Sequence, residues 1–414
     1  MISEILQALA REDVTCQNML HMTSYENRMS RTARQFLESD LGNRYHLSTP
    51  QSYNGDDMSI QIAGFSCRAL KGIHQLELAA IDAVKEMFGA EHAELRLVSG
   101  VHATLATIAT MTQPEDIVYS IAPEDGGHFA TRQVAESLGR ISRYLAWDNE
   151  RLNIDLEASH LLFKKSPPAL LFLDHGTPLF KLPVSALKAL LPLGALLVYD
   201  ASHTLGLIAG GCFQQPLFEG ADILQGNTHK TFPGPQKAMI LFRDEALGKR
   251  YSDAVSLGLV SSQHTHHSIA LGITILEMHE HGRRYARDML ENAQVLGSSL
   301  LDNGIGLLSY DGCFTTSHEL LISSGWHDGY LPAVERLFRS GISVNGRIAF
   351  SRPTIRIGVQ EITRRGMKAP QMFQIARFFQ QALQSSEVDS GLFKQVHTLN
   401  RDFPNIDYSF DRTQ

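Results

Sequence analysis

The sequence of 414 residues predicts an α/β protein with a large, mostly parallel sheet and a second, smaller α+β domain. A chain of this length is too long for one simple core and fits two domains. Short apolar segments alternate with helix-length amphipathic segments, the pattern of a parallel sheet covered on both faces. The strand candidates are residues 95–98, 117–120, 169–173, 195–199 and 238–242.

Helical periodicity places the domains along the chain. Residues 73–88 repeat apolar side chains at helical spacing and stop at Gly89, which predicts a helix with a glycine end. A longer helical stretch begins at Ile269, and the strand-like HELLISS and TIRIGV and the helical QMFQIARFFQQAL follow it. We therefore expect an N-terminal arm over residues 1–70, a large domain over 71–275 and a small domain over 276–414. Aromatic residues in the C-terminal tail predict that it packs on the body.

Charge and composition exclude several classes of protein. With 37 basic and 44 acidic residues the net charge is −7, and no dense basic run could follow a phosphate backbone, so nucleic acid is not an expected partner. The N-terminal segment lacks the features of a signal peptide and no segment is apolar for long enough to span a membrane, so a cytoplasmic enzyme is expected. The cysteines are too dispersed for a disulfide framework or a paired metal site.

Two segments place reactive groups at the predicted sheet. In ADILQGNTHKTFPGPQK an apolar run enters a turn rich in glycine and proline, and Lys230 lies in that turn. The strand ALLVYD ends at Asp200, at the carboxyl edge where parallel sheets bind ligands. A carboxylate there can pair with a protonated pyridine nitrogen and make the ring an electron sink.

Two further segments suit the other parts of such a ligand. In EDGGHFA, two glycines precede His128 and would let the backbone approach a flat ligand while the imidazole lies over its face. In VSGVHAT, Ser99, Gly100 and Val101 precede a helical run and could present hydroxyl and N–H groups to a phosphate. Phosphate turn, stacking histidine, aspartate and lysine together predict a site for pyridoxal phosphate, held by Lys230 as a Schiff base.

Arg356 supplies a cation for a substrate carboxylate. It stands in the middle of the strand-like TIRIGV, where a charge without a partner would be costly. A metal-binding protein is the competing class, because histidines cluster at His264, His266 and His267 and again at His279 and His281. The first group has no evident ligand partner, and residues two apart on a helix point to different faces. No metal is therefore predicted.

The chain resembles the serine hydroxymethyltransferase family, which has the fold of type I pyridoxal-phosphate enzymes with a seven-stranded sheet. The resemblance is carried by YDASHTLGLIAGG, GADILQGNTHKTFPGP and IRIGVQEITRRGM. It implies that Lys230 forms the Schiff base, that Asp200 pairs with the pyridine nitrogen and that His128 stacks on the ring. It also implies that Arg356 holds the substrate carboxylate.

The same resemblance implies contacts at the edges of the site. His203 would lie near the ring oxygen and the substrate, and His229 would contact the cofactor phosphate. Tyr45 in GNRYHLSTP would reach the phosphate of a neighbouring subunit, so that the active site lies at the interface of a homodimer or of a dimer of dimers. Glu26 in TSYENR matches a glutamate of the family, and either Tyr25 or Ser24 aligns with a serine that helps bind the substrate carboxylate.

One departure bears on the reaction. Folate-using members have a glutamate where this chain has Leu47, and acid–base help of that kind is worth about 10²–10⁴ in rate. The variant segments YHLSTP, GNTHKTFPGPQK and EDGGHFA resemble the threonine transaldolases more closely. The prediction is cleavage or formation of the Cα–Cβ bond of a β-hydroxy-α-amino acid, with an aldehyde as second substrate, by a threonine transaldolase or aldolase. The alternative is serine hydroxymethyltransferase with tetrahydrofolate, if an acid such as Glu26 replaces the missing glutamate.

Overall fold

The computed structural model describes residues 1–47, 58–62, 64–385 and 390–412. The chain forms two compact units. The large unit comprises Asn27–Arg287 and the C-terminal residues from Tyr408, and the small unit comprises Met1–Glu26 and Asp288–Asp407. The domain boundaries expected at residues 70 and 275 remain predictions.

Strands form the framework of both units. Those in the described part of the chain are β1 (Leu20–His21), β2 (Ser59–Ile62), β3 (Phe65–Arg68), β4 (His92–Glu94), β5 (Ile117–Ser120), β6 (Ile141–Tyr144), β7 (Trp147–Asp148), β8 (Asn153–Ile154), β9 (Leu170–Leu173), β10 (Leu196–Asp200), β11 (Ile223–Asn227), β12 (Ala238–Phe242), β13 (Glu319–Ile322), β14 (Ile342–Ser343), β15 (Asn345–Ala349) and β16 (Arg352–Gly358).

Helices connect and cover these strands. Within the described residues they are α1 (Ile2–Asn18), α2 (Arg31–Arg34), α3 (Lys71–Phe88), α4 (Gly100–Met111), α5 (Phe129–Ser137), α6 (Leu156–Lys165), α7 (Val184–Leu190), α8 (Leu205–Ala209), α9 (Glu245–Gly258), α10 (Thr265–Asp302), α11 (Tyr330–Arg339), α12 (Gln360–Arg364), α13 (Ala369–Gln384) and α14 (Ser390–Asp402). Short 3₁₀ turns are Gln35–Glu38, Asp40–Asn43, Pro123–Asp125 and Phe410–Arg412.

The large unit is built on a mostly parallel sheet, as predicted. Its seven strands, all among the described residues, lie in the order β4-β12-β11-β10-β9-β5-β6. The pairs from β11 through β10, β9 and β5 to β6 are parallel, and β12 is antiparallel to both of its neighbours. Every residue of β9 and β12 is buried, since helices cover both faces. The sequence patterns had indicated neither β6 nor β11 as a strand.

The predicted strand at residues 95–98 was wrong. The strand is β4, which ends at Glu94, and the four residues after it belong to the connection into α4. The backbone N–H of Arg96 donates to the Glu94 carboxylate, and the Arg96 side chain pairs with the same group. This buried ion pair uses a backbone donor that a strand would have needed for its ladder.

The predicted helix ending near Gly89 is confirmed. It is α3, and Gly89 adopts a left-handed conformation with φ of 63° while its N–H donates to the carbonyl of Lys85. A side chain at Gly89 would also collide with the ring of Phe218, since its Cβ would stand 2.3 Å from the nearest ring atom. Both the turn and the packing therefore require glycine here.

The small unit is α+β, as predicted. It has an antiparallel sheet in the order β13-β16-β15, and β1 pairs in parallel with β14. The predicted helix QMFQIARFFQQAL is α13, whose buried face includes Ile375 and Phe379. The tail packs as expected, with Val396 and Leu399 buried on α14 and, in the large unit, the ring of Tyr408 5.1 Å from that of Tyr285. No helix of the described residues is long and apolar enough to cross a membrane.

Candidate active site

A pocket opens at the carboxyl edge of the large sheet, where parallel strands usually present their ligand-binding groups. β10 ends at Asp200, β11 ends at Asn227 and Asp174 directly follows β9. The walls of the pocket are formed by Gly100, Val101, Thr104, His128, Thr131, Asp174, His175, Gly176, Asp200, Ser202, His203, Asn227 and Lys230.

Lys230 reaches this pocket from a turn that is tied down on two sides. Its side chain is only 7% exposed, and Nζ lies 3.0 Å from Nε2 of His203. The side chain of Asn27 donates to the carbonyl oxygen of Lys230 over 2.6 Å. The hydroxyl of Thr231 donates to the carbonyl of His203 over 2.8 Å and accepts from the N–H of Gly206. These hydrogen bonds fix the backbone of the turn, and the turn places the lysine amine in the pocket.

Asp200 presents its carboxylate to the pocket and is held by two uncharged donors. Oδ1 accepts the backbone N–H of Ser202 over 2.8 Å. Oδ2 accepts the side-chain amide of Gln225 over 2.9 Å. Neither donor is a cation, so these two hydrogen bonds do not pair the carboxylate with a positive charge.

His128 begins helix α5 and is placed by its backbone. Its Nδ1 accepts the N–H of Ala130, and its own N–H donates to Oδ2 of Asp174 over 3.3 Å. The imidazole stacks on Phe129 with ring centroids 4.6 Å apart. Burial lowers the pKa of His128, and the charge of Lys230 lowers it further, while Asp200 opposes the shift. The ring is therefore neutral at physiological pH and offers a flat face to a ligand.

The two glycines before His128 have a role in the folding of the loop itself. Gly126 has φ of 91°, and a Cβ added at Gly127 would stand 2.1 Å from the carbonyl oxygen of Ile121. The loop after β5 thus folds back on its own backbone, and only residues without a side chain can close it.

The N-terminus of α4 forms one wall of the pocket. The Ser99 hydroxyl accepts the N–H of His102 as the helix cap, and Gly100 and Val101 line the pocket. A Cβ at Gly100 would stand 1.9 Å from Oδ1 of Asn227, so glycine leaves room for that amide. Oδ1 of Asn227 is buried and has no hydrogen-bond partner among the described residues. A bound ligand with a donor would satisfy it.

Asp174 is a pocket residue that the sequence reasoning missed. It is buried, and Oδ1 accepts the N–H of Ile121 over 3.1 Å. Burial raises its pKa to about 7 against the effect of hydrogen bonds from Thr131 and Ile121, and the nearby charge of Asp200 adds to the rise. The signal was present, because LFLD ends a buried strand in aspartate in the same way as LVYD.

Two residues expected at the edges of the site do not line this pocket. His229 is half-buried and lies in the same turn, directly before Lys230. Burial, together with the charge of Lys230, lowers the pKa of His229 to about 4. Tyr45 is 70% exposed. Its neighbour His46 is anchored to Glu77 over 2.8 Å, and the carbonyl of His46 accepts from Gln263. Leu47 follows, and residues 48–50 of the segment GNRYHLSTP lie outside the described residues.

The small unit brings Arg356 and Tyr25 together. Arg356 lies within β16, as predicted, and is 7% exposed. Its guanidinium carbon lies 5.1 Å from the ring centroid of Tyr25, and Nε donates to Oδ1 of Asn345. Glu26 instead faces His21, whose Nδ1 lies 3.4 Å from its carboxylate, and this contact lowers the pKa of Glu26 in spite of partial burial.

The histidine clusters do not form a metal centre in the described part of the chain. The rings of His264, His266 and His267 lie near one another, with centroids 4.4–6.4 Å apart. His279 contacts Glu86, and His281 contacts Glu280. No group of three or more histidine, cysteine, aspartate or glutamate side chains among the described residues is arranged to hold a metal ion.

Comparison with known proteins agrees with this geometry. Residues 2–379 match the family model described as serine hydroxymethyltransferase. The chain belongs to this family. It is 33% identical to a serine hydroxymethyltransferase of Methanopyrus kandleri over 99% of this chain and 95% of that protein.

Two other similar proteins are transaldolases. A fluorothreonine transaldolase of Streptantibioticus cattleyicolor is 41% identical over 88% of this chain, which spans 57% of that protein. The crystal structure of an L-threonine transaldolase from Pseudomonas fluorescens, in its internal aldimine state, superposes with a TM-score of 0.89 at 28% identity. That superposition covers all of this chain and 94% of the other.

As a member of the hydroxymethyltransferase family, the chain is a pyridoxal-phosphate-dependent enzyme. The pocket has groups that fit this cofactor. A buried lysine amine can bind its aldehyde, a carboxylate is available for its ring nitrogen and a neutral imidazole for its ring face. The start of helix α4 offers donors for its phosphate.

Proposed function

We propose that this enzyme is a threonine transaldolase, which moves the glycyl unit of L-threonine or a related β-hydroxy-α-amino acid to an acceptor aldehyde. The observation that carries the proposal is Leu47, which stands where folate-using relatives have an acid. Identity of 41% to a transaldolase, against 33% to a hydroxymethyltransferase, supports it. Direct release of glycine, an aldolase reaction, would use the same first half of the chemistry.

The reaction exchanges one Cα–Cβ bond for another. The β-hydroxyl of the donor loses its proton, the Cα–Cβ bond breaks and acetaldehyde leaves threonine. Pyridoxal phosphate, when bound, supplies an aldehyde for covalent attachment and a ring that withdraws the electron pair left on Cα. Cα then attacks the carbonyl carbon of the acceptor aldehyde, and the new alkoxide oxygen takes a proton. The atoms balance without oxidant, reductant or folate.

Each of several residues of the large unit is assigned to a different part of the cofactor. Lys230 is the covalent attachment point, and Asp200 supplies negative charge to the ring nitrogen. His128 covers the ring face, which its neutral state favours because no charge must be desolvated. Ser99, Gly100 and Val101 offer the start of α4 to the phosphate, although Val101 can contribute only its backbone.

Proton transfer falls to groups near the lysine amine. His203 is the partner that we assign to it, since the two nitrogens are 3.0 Å apart. His203 can therefore exchange a proton with Lys230 when the amine is displaced or restored. His229 is assigned to the phosphate on the strength of the family resemblance.

Arg356 is our assignment for the substrate carboxylate, with Tyr25 as its support. The guanidinium of Arg356 stacks on the Tyr25 ring and bonds to Asn345. These two contacts fix the direction in which its terminal N–H groups point. A fixed fork can hold a carboxylate through two hydrogen bonds. That would keep the Cα–Cβ bond in one orientation, as selective cleavage requires.

A folate-dependent hydroxymethyltransferase is the second candidate, favoured by the family model itself. It would need an acid to replace the missing glutamate. Glu26 is poorly suited, because its contact with His21 lowers its pKa and keeps it ionised at neutral pH. Leucine at position 47 can neither donate nor accept a proton.

We also assign the enzyme to the cytoplasm and to a homodimer or a dimer of dimers. The four cysteines are free thiols, which suits a reducing compartment. Tyr45 is a large side chain that is mostly exposed, in agreement with a role at the site of a neighbouring subunit.

The test is a product assay on the cofactor-loaded enzyme. We expect L-threonine to be cleaved and acetaldehyde to appear, and an added aldehyde to be converted to a new β-hydroxy-α-amino acid without folate. Lys230→Ala is the matched control and should form no product. If threonine is inert and serine turns over only with tetrahydrofolate, the hydroxymethyltransferase assignment replaces this one.

A further inference from the structure

Gln225 lies beneath the floor of the pocket and has no access to solvent. It stands opposite Asp200 in the parallel pairing of β11 with β10, so the two side chains share one face of the sheet. Burying an amide is costly unless its groups are hydrogen-bonded. Its hydrogen bonds therefore explain why a polar residue occupies this position.

The orientation of this amide follows from its partners. Nε2 lies 2.9 Å from Oδ2 of Asp200, and an ionised carboxylate can only accept, so the amide nitrogen must be the atom on that side. Oε1 then faces the hydroxyl of Thr107, which donates to it over 2.9 Å. Nε2 also donates to the hydroxyl of Thr104 over 3.2 Å.

Both threonines belong to α4, the helix whose N-terminus forms another wall of the same pocket. The hydroxyl of Thr104 donates a hydrogen bond to the carbonyl of Gly100 over 3.2 Å, so the chain of hydrogen bonds runs from the start of the helix to the carboxylate. A flipped amide would set Oε1 against Oδ2 of Asp200 and break this chain. The network therefore has one arrangement that satisfies every member.

We propose that Gln225, set by Thr107, is a positioning residue that aims the Asp200 carboxylate into the pocket without cancelling its charge. A lysine or arginine in this place would hold the carboxylate equally well but would compete for its charge with the cofactor's ring nitrogen. An amide leaves that charge available. This inference rests on the proposed function, because the ring nitrogen is the partner that gives the charge its use.

The experiment compares two identical substitutions on one helix. In Thr107→Val the hydroxyl that sets the amide is lost, whereas in the control Thr110→Val the lost hydroxyl bonds, among the described residues, only to the carbonyl of Ala106 in its own helix. Thr107→Ser restores the hydroxyl and should rescue the activity. Gln225→Met removes the amide at similar length.

Four quantities are measured on each holoenzyme: kcat and KM with threonine, the pH at which the visible band of the bound cofactor titrates, and the melting temperature. Gln225→Met should lower kcat roughly tenfold to a hundredfold, the effect of losing a hydrogen bond to a charged group. It should shift the titration of the band and leave KM within about threefold. Thr107→Val should give the same changes at a smaller size, and Thr110→Val and Thr107→Ser should stay within about twofold of wild type.

The outcomes separate the two proposals. If Gln225→Met and Thr107→Val lower only the melting temperature, while kcat and the titration of the band match those of Thr110→Val, Gln225 is a packing residue and this inference is wrong. If wild-type protein carries no visible band, the proposed function itself fails. If the wild-type enzyme has a visible band but turns over serine only with folate, the substrates change, and the same differences in kcat and band titration, measured with serine, decide the role of Gln225.

Discussion

Two neighbouring strands of the large sheet have an aspartate at their carboxyl ends, Asp174 directly after β9 and Asp200 as the last residue of β10, and the two side chains have different surroundings. Asp174 follows β9, is buried and binds the backbone N–H groups of Ile121 and His128. Asp200 ends β10, is partly open to the pocket and is held by Ser202 and Gln225. The first carboxylate organises the protein, and the second is left free to meet a ligand.

The comparison shows that position at a sheet edge does not decide the role of an acid. Both aspartates are at the carboxyl ends of parallel strands and both line the pocket. Burial is the largest cause of the raised pKa of Asp174, which is about 7. Local solvation and the choice of donors assign the roles, as in other sites where two carboxylates have different tasks.

The largest expected effect is on Asp200. Asp200→Asn removes the charge and keeps the shape, so we expect the enzyme to fold and bind cofactor but to lose about 10²–10³ in kcat, as when a preorganised electrostatic contact is removed. Steady-state kinetics and the visible spectrum of the purified variant are the measurements. A loss below tenfold would show that the charge of Asp200 is not required, and that Asp174 and Asp200 do not differ in role as proposed.

A smaller effect, on stability, is expected for Asp174. The folded carboxyl titrates near pH 7 and the unfolded one near 3.8, so between these values the folded state holds a proton that the unfolded chain has lost. Its contribution to the free energy of unfolding is therefore present at low pH and declines as the pH rises from about 4 to about 7. Denaturant unfolding across this range should show the decline in wild type and a weaker one in Asp174→Asn. An equal slope in both proteins would contradict the raised pKa.

The smallest effect is expected at His128, which Asp174 holds through the backbone. Its low pKa makes the ring act as a neutral stacking surface. His128→Phe should keep the affinity for pyridoxal phosphate within about threefold, and His128→Ala should weaken it by roughly two- to tenfold, the usual worth of one aromatic contact. Equilibrium dialysis measures both. A larger loss in the phenylalanine variant would show that a ring nitrogen is required.

Local sequence patterns were sufficient to predict those parts of the molecule that depend on the spacing of apolar side chains and on the order of segments along the chain. The alternation of apolar and amphipathic segments predicted the parallel sheet, and VYD and THK predicted that Asp200 and Lys230 meet at its edge. The small α+β unit and the strand that carries Arg356 were predicted in the same way.

The errors and omissions have a common physical cause. The strand predicted at residues 95–98 ends instead at Glu94. The backbone N–H of Arg96 donates to the Glu94 carboxylate, which is also ion-paired with the Arg96 side chain, so this N–H is not available for pairing with a neighbouring strand. Gln225 and Asn227 gave no sequence signal, since an amide within or at the end of a strand is ordinary until its neighbours are known. The glycines before His128 were recognised, but their contact with the carbonyl of Ile121 was not.

Periodicity and short motifs were enough to predict the fold class, the resemblance to a pyridoxal-phosphate family and the lysine and aspartate of the candidate site. The folded structure was needed to find which carboxylate is buried, which amide orients the other and which aromatic ring stacks on Arg356. Desolvation and hydrogen-bond partnership are properties of residues far apart in the chain, such as Thr107 and Gln225, whose contact spans 118 positions.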